Sequence, residues 1–322
     1  MTTAARDTDR ATDGVADRAA GAAAGRPDML KGLGFGLAAA LLWAIYNVGV
    51  EIGRADGFTS ADLALLRYGG AGLILAPLLM LQWRRLPASL TSGRALALSC
   101  IIGPPFAFLF NTGYGLAPLA HAVVISPGMS MLVANLLPVL LDRQRLSGNR
   151  KLGIAILIIG VIAIAADRPS ATEAGDSAIL GDLCFVGSGT LWGTFIYLMA
   201  RWHLPAVATT AAVSILSTLS FLPVYLMWFA PAQLPAAAWI EQLIYQGAIG
   251  GGLAIVAFAS SIRLLGSGLA GLFPALVPPL AVILAIPLAR QWPNGLQILG
   301  VVIASAGLIV SLDRVARHFS RK

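Results

Sequence analysis

The chain has 322 residues, of which 57% are apolar and only 11% charged, where soluble domains carry about 25% charged residues. So little charge cannot clothe a water-facing surface, which excludes an ordinary soluble globular protein and makes lipid the solvent. The formal net charge of +7 does not signal nucleic acid, because the basic residues lie in short gaps between apolar runs and not on one patch.

Residues 1–28 are rich in Ala, Gly and Thr with mixed Asp and Arg. They lack the apolar stretch of a signal peptide and read as a disordered cytoplasmic tail. A helix that crosses hydrocarbon needs about 20 mostly apolar residues, since its backbone polar groups must be satisfied internally. Ten runs meet that demand in chain order: Gly32–Ile52, Ala61–Leu81, Ala95–Tyr114, Leu119–Leu141, Leu152–Ala166, Ile179–Ala200, Pro205–Phe229, Trp239–Ile262, Ala270–Leu288 and Gly295–Leu312. The break inside Ala95–Leu141 rests on Gly115 to Pro118 alone. Five helices fall in residues 30–167 and five in 179–315, with an outer linker at 168–178 and a cytoplasmic tail at 316–322.

Basic residues test the count. With the N-terminus inside, 18 of the 22 Lys and Arg residues fall in inner segments and three (Arg54, Arg168 and Arg290) in outer loops, while Arg67 lies within a helix. That asymmetry puts both termini in the cytoplasm. A wrong helix count would have scrambled it.

A shift of 147 residues aligns the two halves without gaps over a long stretch. Ile102-Gly103 falls on Ile249-Gly250 and Pro127 on Pro274. Leu141, Arg143, Gln144 and Gly148 fall on Leu288, Arg290, Gln291 and Gly295; Leu152-Gly153 and Gly160 fall on Leu299-Gly300 and Gly307. With a slightly different offset Leu42-Trp43-Ala44 meets Leu191-Trp192-Gly193. Each half has an odd number of helices, so the second must enter the membrane upside down. The fold class read from the sequence is an all-α membrane protein of ten transmembrane helices, two inverted five-helix repeats around a central cavity. Such symmetry belongs to secondary transporters, where one bundle rocks against the other.

Two five-helix halves, each opening on Leu-Trp-Ala/Gly and closing on Gly-x6-Gly after a short basic loop, resemble the EamA-type branch of the drug/metabolite transporter superfamily over residues 30 to 315. Within it, YddG-like aromatic amino acid exporters are nearest in general character. The resemblance implies a transporter in a bacterial inner membrane. Many members carry a Glu before each half's last helix, whereas this chain has Asp142-Arg143 and Ala289-Arg290 there. A role for that acidic residue is therefore in doubt here.

Helix breakers at matching places in two halves point to a transporter's site. Gly103-Pro104-Pro105 matches Gly250-Gly251-Gly252, and Pro127 matches Pro274, which Pro278 follows. A single proline is more often only a kink; the matched set predicts four helices bending around a cavity. Trp43, Tyr46 and Asn47 share one face of the first helix, and Asn47 should turn inward because an unpartnered amide in hydrocarbon costs several kcal/mol. The sixth helix offers Ser188, Trp192 and Tyr197, the third Asn111 and Tyr114, and the fourth His121. Against these stand plainer readings: belt aromatics for Tyr46 and Tyr114, back-bonded serines, a structural His121, and an Arg67 that snorkels or pairs with Glu51, Asp62 or Asp182.

No charged residue is expected in the middle of a span, and Glu51, Asp182 and Glu241 sit at outer ends. Ion-coupled pumps usually keep an intramembrane carboxylate, so the hollow reads as neutral, aromatic and amide-lined. That predicts export or exchange of neutral or zwitterionic metabolites, chiefly amino acids, with multidrug or nucleotide-sugar transport as the alternative within the superfamily. A membrane enzyme or passive channel is the alternative of another class, but no His, Asp, Ser or Cys groups converge for catalysis. Cys100 and Cys184 form no Cys-x-x-Cys pair and the three histidines are scattered, so neither metal nor cofactor is expected. The partners are a small-molecule substrate and the bilayer, not nucleic acid. A monomer is compatible with this reading.

Overall fold

The computed structural model describes residues 26–82, 89–166 and 177–311. The proposed tail as far as residue 25, most of the 168–178 linker and the C-terminal tail lie outside the described residues. The elements are α1 (Arg26–Ala55), α2 (Ser60–Gln82), α3 (Ser92–Ile102), α4 (Pro104–Tyr114), α5 (Leu119–Asp142), α6 (Gly148–Ala165), α7 (Ser177–Arg201), α8 (Ala206–Trp228) and α9 (Ala236–Leu243). A π-helical stretch (Ile244–Leu253), α10 (Ala254–Ala270), a 3-10 turn (Phe273–Leu276), α11 (Val277–Ala289) and α12 (Gly295–Val310) complete the described chain. α1 begins at Arg26, inside the stretch expected to be tail, and α10 runs on to Ala270, eight residues past the expected end of its span.

Among the described residues eight helical stretches are long and apolar enough to cross a membrane, α3 with α4 counting as one and α9 through Leu265 as another. Two shorter apolar helices, Phe273–Ala289 and Gly295–Val310, follow. Leu73, Met80, Ile162 and Leu226 stand exposed on the outside of the bundle. In water such a surface would aggregate; in lipid it is the correct one.

Small residues set how the helices meet. α6 and α12 pack antiparallel: a Cβ at Gly153 would lie 2.4 Å from the Ser311 nitrogen, one at Gly160 2.6 Å from the Ala304 nitrogen, and one at Gly307 2.5 Å from the Leu157 nitrogen. α2 and α8 also run antiparallel, with Gly72 beside Ile215 and the Tyr225 hydroxyl donating to Asp62. The remaining contacts repeat by exchange of halves. α5 lies on α7 as α11 lies on α1, and α4 crosses α7 as the π stretch and α10 cross α1.

The repeat extends to the caps. Arg143 and Arg290 each close their helix in the left-handed region, at φ of 55° and 54°. Ser147 and Asn294 then cap the two final helices, accepting from the backbone N–H of Arg150 and Gln297. A side-chain oxygen there satisfies an N–H that the first helical turn leaves unpaired.

Candidate functional site

A cavity of about 820 Å³ opens where α1 and α4 end and α5 begins. Glu51, Tyr114, Leu119, Val282, Gln291 and Trp292 are among its walls. The Gly115–Pro118 turn between α4 and α5 forms part of the rim, held by N–H donation from Ala117 to the Gly113 carbonyl at 2.9 Å. Glu51 accepts from the Gln291 amide across the two halves, and Arg54 donates to the Phe58 carbonyl at 2.6 Å.

The floor of the cavity is a hydrogen-bonded pair. Tyr114 donates its hydroxyl to Asn47 Oδ1 at 2.6 Å, and Asn47 Nδ2 donates back to the Trp43 carbonyl one turn earlier, at 2.7 Å. Both side chains are buried, so each supplies the partner the other needs in a medium without water. Deeper lies an aromatic layer. Tyr46 stacks on Phe110 with centroids 6.3 Å apart, Phe110 on Phe106 at 5.4 Å, and Phe106 meets Trp192 of the other half edge-on at 6.1 Å. Phe185 of α7 closes the side, 5.5 Å from Tyr114 and 6.0 Å from Phe110. Offset and edge contacts of this kind contribute about 0.5–1.5 kcal/mol each beyond burial.

Arg67 reaches into this layer. Its guanidinium carbon stands 4.6 Å from the Tyr46 ring centroid and 5.7 Å from that of Phe106. The acids expected to pair with it are engaged elsewhere. Glu51 takes Gln291, Asp62 takes Thr59 (2.8 Å) and Tyr225, and Asp182 takes His121 (2.8 Å). The aromatic layer therefore holds a cation where the sequence predicted a hollow without charge.

The matched helix breakers behave unequally. α3 stops at Ile102 and α4 restarts at Pro104. The prolines there leave the carbonyls four residues earlier without their helical N–H donors, while the Tyr68 hydroxyl bonds the carbonyls at the break itself, Gly103 at 2.8 Å and Ile102 as well. Pro105 follows in the first turn of α4, where a missing N–H does no harm. In the second half Gly250, Gly251 and Gly252 lie in the π-helical stretch. There a Cβ at Gly250 would fall 2.3 Å from the Tyr46 ring, and one at Gly251 3.4 Å from the Arg67 carbonyl. Pro274 sits in the 3-10 turn and Pro278 opens α11, whereas Pro127 lies within the unbroken α5. π bulges recur at functional sites.

Of the eight residues nominated from the sequence, Tyr114 lines the cavity. Tyr46 and Asn47 pack beneath it, and Trp192 bounds the aromatic layer. Trp43 turns to Phe258 of α10, at 5.1 Å. Asn111 donates to the Ser60 carbonyl (3.3 Å), Ser188 pairs with Ser126 (3.1 Å), and buried His121 meets Asp182. Tyr197 belongs to the opposite end, bonded to Asp142 at 2.9 Å, and Arg201 pairs with the same carboxylate.

Residue types along the chain assign Arg67 a snorkelling or acid-paired role only, and they do not single out Tyr68, Phe106, Phe110 or Phe185. One signal was there: Phe106, Phe110 and Tyr114 recur every four residues directly after a breaker, which puts three rings on one helix face. Among the described residues no group of three His, Cys, Asp or Glu side chains is placed to hold a metal ion.

A family model described as the EamA-like transporter family matches the chain twice, over residues 30–166 and 179–312. No curated protein matches it. Twenty-two chains of solved structures do. One, described only as the crystal structure of a protein, is 18% identical with a TM-score of 0.61, and the match covers 89% of this chain and 97% of that one. At that identity the likeness concerns the fold alone.

Proposed function

Because this chain belongs to the EamA-like transporter family, within the drug/metabolite transporter superfamily, we propose that it carries neutral or zwitterionic metabolites, chiefly amino acids with aromatic side chains, out of the cell by alternating access. Ten crossings, made of the eight long stretches and the two shorter helices, form two opposed five-helix units. The antiparallel packing of α6 on α12 and of α2 on α8, each a helix against its own counterpart, supports that opposition. Both termini face the cytoplasm, which makes the cavity open to the outside of a bacterial inner membrane.

The observation that carries the reading is the layered floor: an amide–phenol pair, then stacked rings of the first half met edge-on by Trp192 of the second. Flat apolar side chains stack on such rings. In this conformation the layer closes the path below the cavity; rocking of one unit on the other would part Phe106 from Trp192 and open it to the other side.

Purified protein in liposomes, offered labelled amino acids with and without a pH gradient, tests the reading. Saturable flux competed by tryptophan and phenylalanine is the expected result. No flux of any amino acid, with flux of an organic cation instead, would overturn it. That second reading has one observation in its favour, the Glu51 carboxylate in the cavity wall.

A further inference from the structure

We propose that Arg67 is the receptor for a substrate carboxylate, so that the transported class is aromatic carboxylates, with the α-amino group dispensable. This rests on the transport of aromatic solutes proposed above and names what the site demands of them.

No carboxylate balances the charge of Arg67 among the acids described around it. A guanidinium stays protonated under all ordinary conditions, and Arg67 is half-buried, so its charge is partly shielded from water and is stabilised by a partner. Arg67 has ring faces on Tyr46 and Phe106. Cation–π contact offsets part of the loss of hydration, but it uses the face of the guanidinium and leaves its N–H edge. On that edge Nη1 is buried and meets no acceptor at full hydrogen-bonding geometry, and the Tyr46 and Tyr68 hydroxyls beside the guanidinium are uncharged and leave its positive charge unneutralised. The three acids that might have neutralised Arg67 are bound to other side chains.

Position adds the second line. Tyr68, the next residue, bonds the Ile102 and Gly103 carbonyls where α3 gives way to α4, and the Arg67 carbonyl faces Gly251 in the opposing π stretch. Arg67 thus stands between the interrupted helices of the two halves, beneath the cavity floor. Carboxylates match the planar N–H fork of arginine with two parallel bonds, and rings placed about the same guanidinium suit an aromatic substituent. The carboxylate, not the amine, is the group this layer lacks.

Three indole compounds separate the possibilities in proteoliposomes: tryptophan (both charges), indole-3-acetate (carboxylate only) and tryptamine (ammonium only). The wild type should carry the first two and not tryptamine. Arg67→Gln should lower flux of both carboxylates by about 10- to 100-fold, the range expected when a charge-assisted hydrogen bond is lost. Arg67→Lys, which keeps the charge and loses the fork, should raise KM more than it lowers kcat. Tryptophan flux equal in the wild type and in folded Arg67→Gln would remove Arg67 while leaving aromatic amino acid transport standing. Transport of tryptamine but not indole-3-acetate by the wild type overturns the inference even if Arg67→Gln fails to fold. Absence of flux for all three would end both readings together.

Discussion

At the residue scale, the Asn47–Tyr114 pair shows how a buried polar group is kept by mutual satisfaction. Asn47 gives its amide N–H to its own helix and takes the phenol of α4. Removing one member leaves the other buried and unmet, which costs about 1–3 kcal/mol. Asn47→Ala should therefore lower the melting midpoint and cut transport several-fold while the protein stays monodisperse; unchanged kinetics would take Asn47 out of the pathway. His121 invites a different expectation. It is buried against Asp182 and bridges α5 to α7, a tie between helices and not a station on the route from cavity to aromatic layer. His121→Asn should reduce thermal stability without altering the pH dependence of flux. A changed pH profile would make this histidine a proton carrier.

At the element scale, glycines decide how close two helices come. A Cβ at Gly160 would meet backbone atoms of Ala304, and neighbouring backbone cannot turn aside as a side chain can. Gly160→Leu should destabilise by about 1–3 kcal/mol, read as a lower midpoint in detergent. Gly34→Ala is the control, because nothing lies within 4 Å of its would-be Cβ; there alanine should be neutral or slightly stabilising. The interrupted spans obey another logic. Where α3 gives way to α4, a tyrosine from α2 bonds the carbonyls at the break, and in the π stretch the Tyr46 ring occupies the space a side chain at Gly250 would take.

At the scale of the whole molecule, the cavity opens beside the ends of α1 and α4 and is walled by residues of both halves. Its orientation is testable. In a chain whose Cys100 and Cys184 have been replaced, Trp292→Cys, exposed at the cavity wall, should react with a membrane-impermeant thiol reagent from outside intact cells. Protection by substrate should follow. Labelling only after the cells are opened would reverse the topology.

The amino-acid order by itself determined that the chain is helical and apolar, how its crossings divide into two related sets, and where several of them are interrupted. Those properties are written in hydropathy, in glycine and proline placement, and in the recurrence of Arg143-Gln144 as Arg290-Gln291, all of which are local or periodic. It also nominated Asn47 and Tyr114, because a polar atom in hydrocarbon must find a partner. What only the tertiary structure decided was which partner. Asp62, Asp182 and Glu51 were equal claimants for Arg67 along the chain, and each proved nearer to something else: Tyr225 of α8, His121 of α5, Gln291 beyond α11. Side chains more than 60 residues apart in sequence meet according to the crossing of helices, and that crossing is set by packing summed over whole surfaces, which no short stretch of sequence contains.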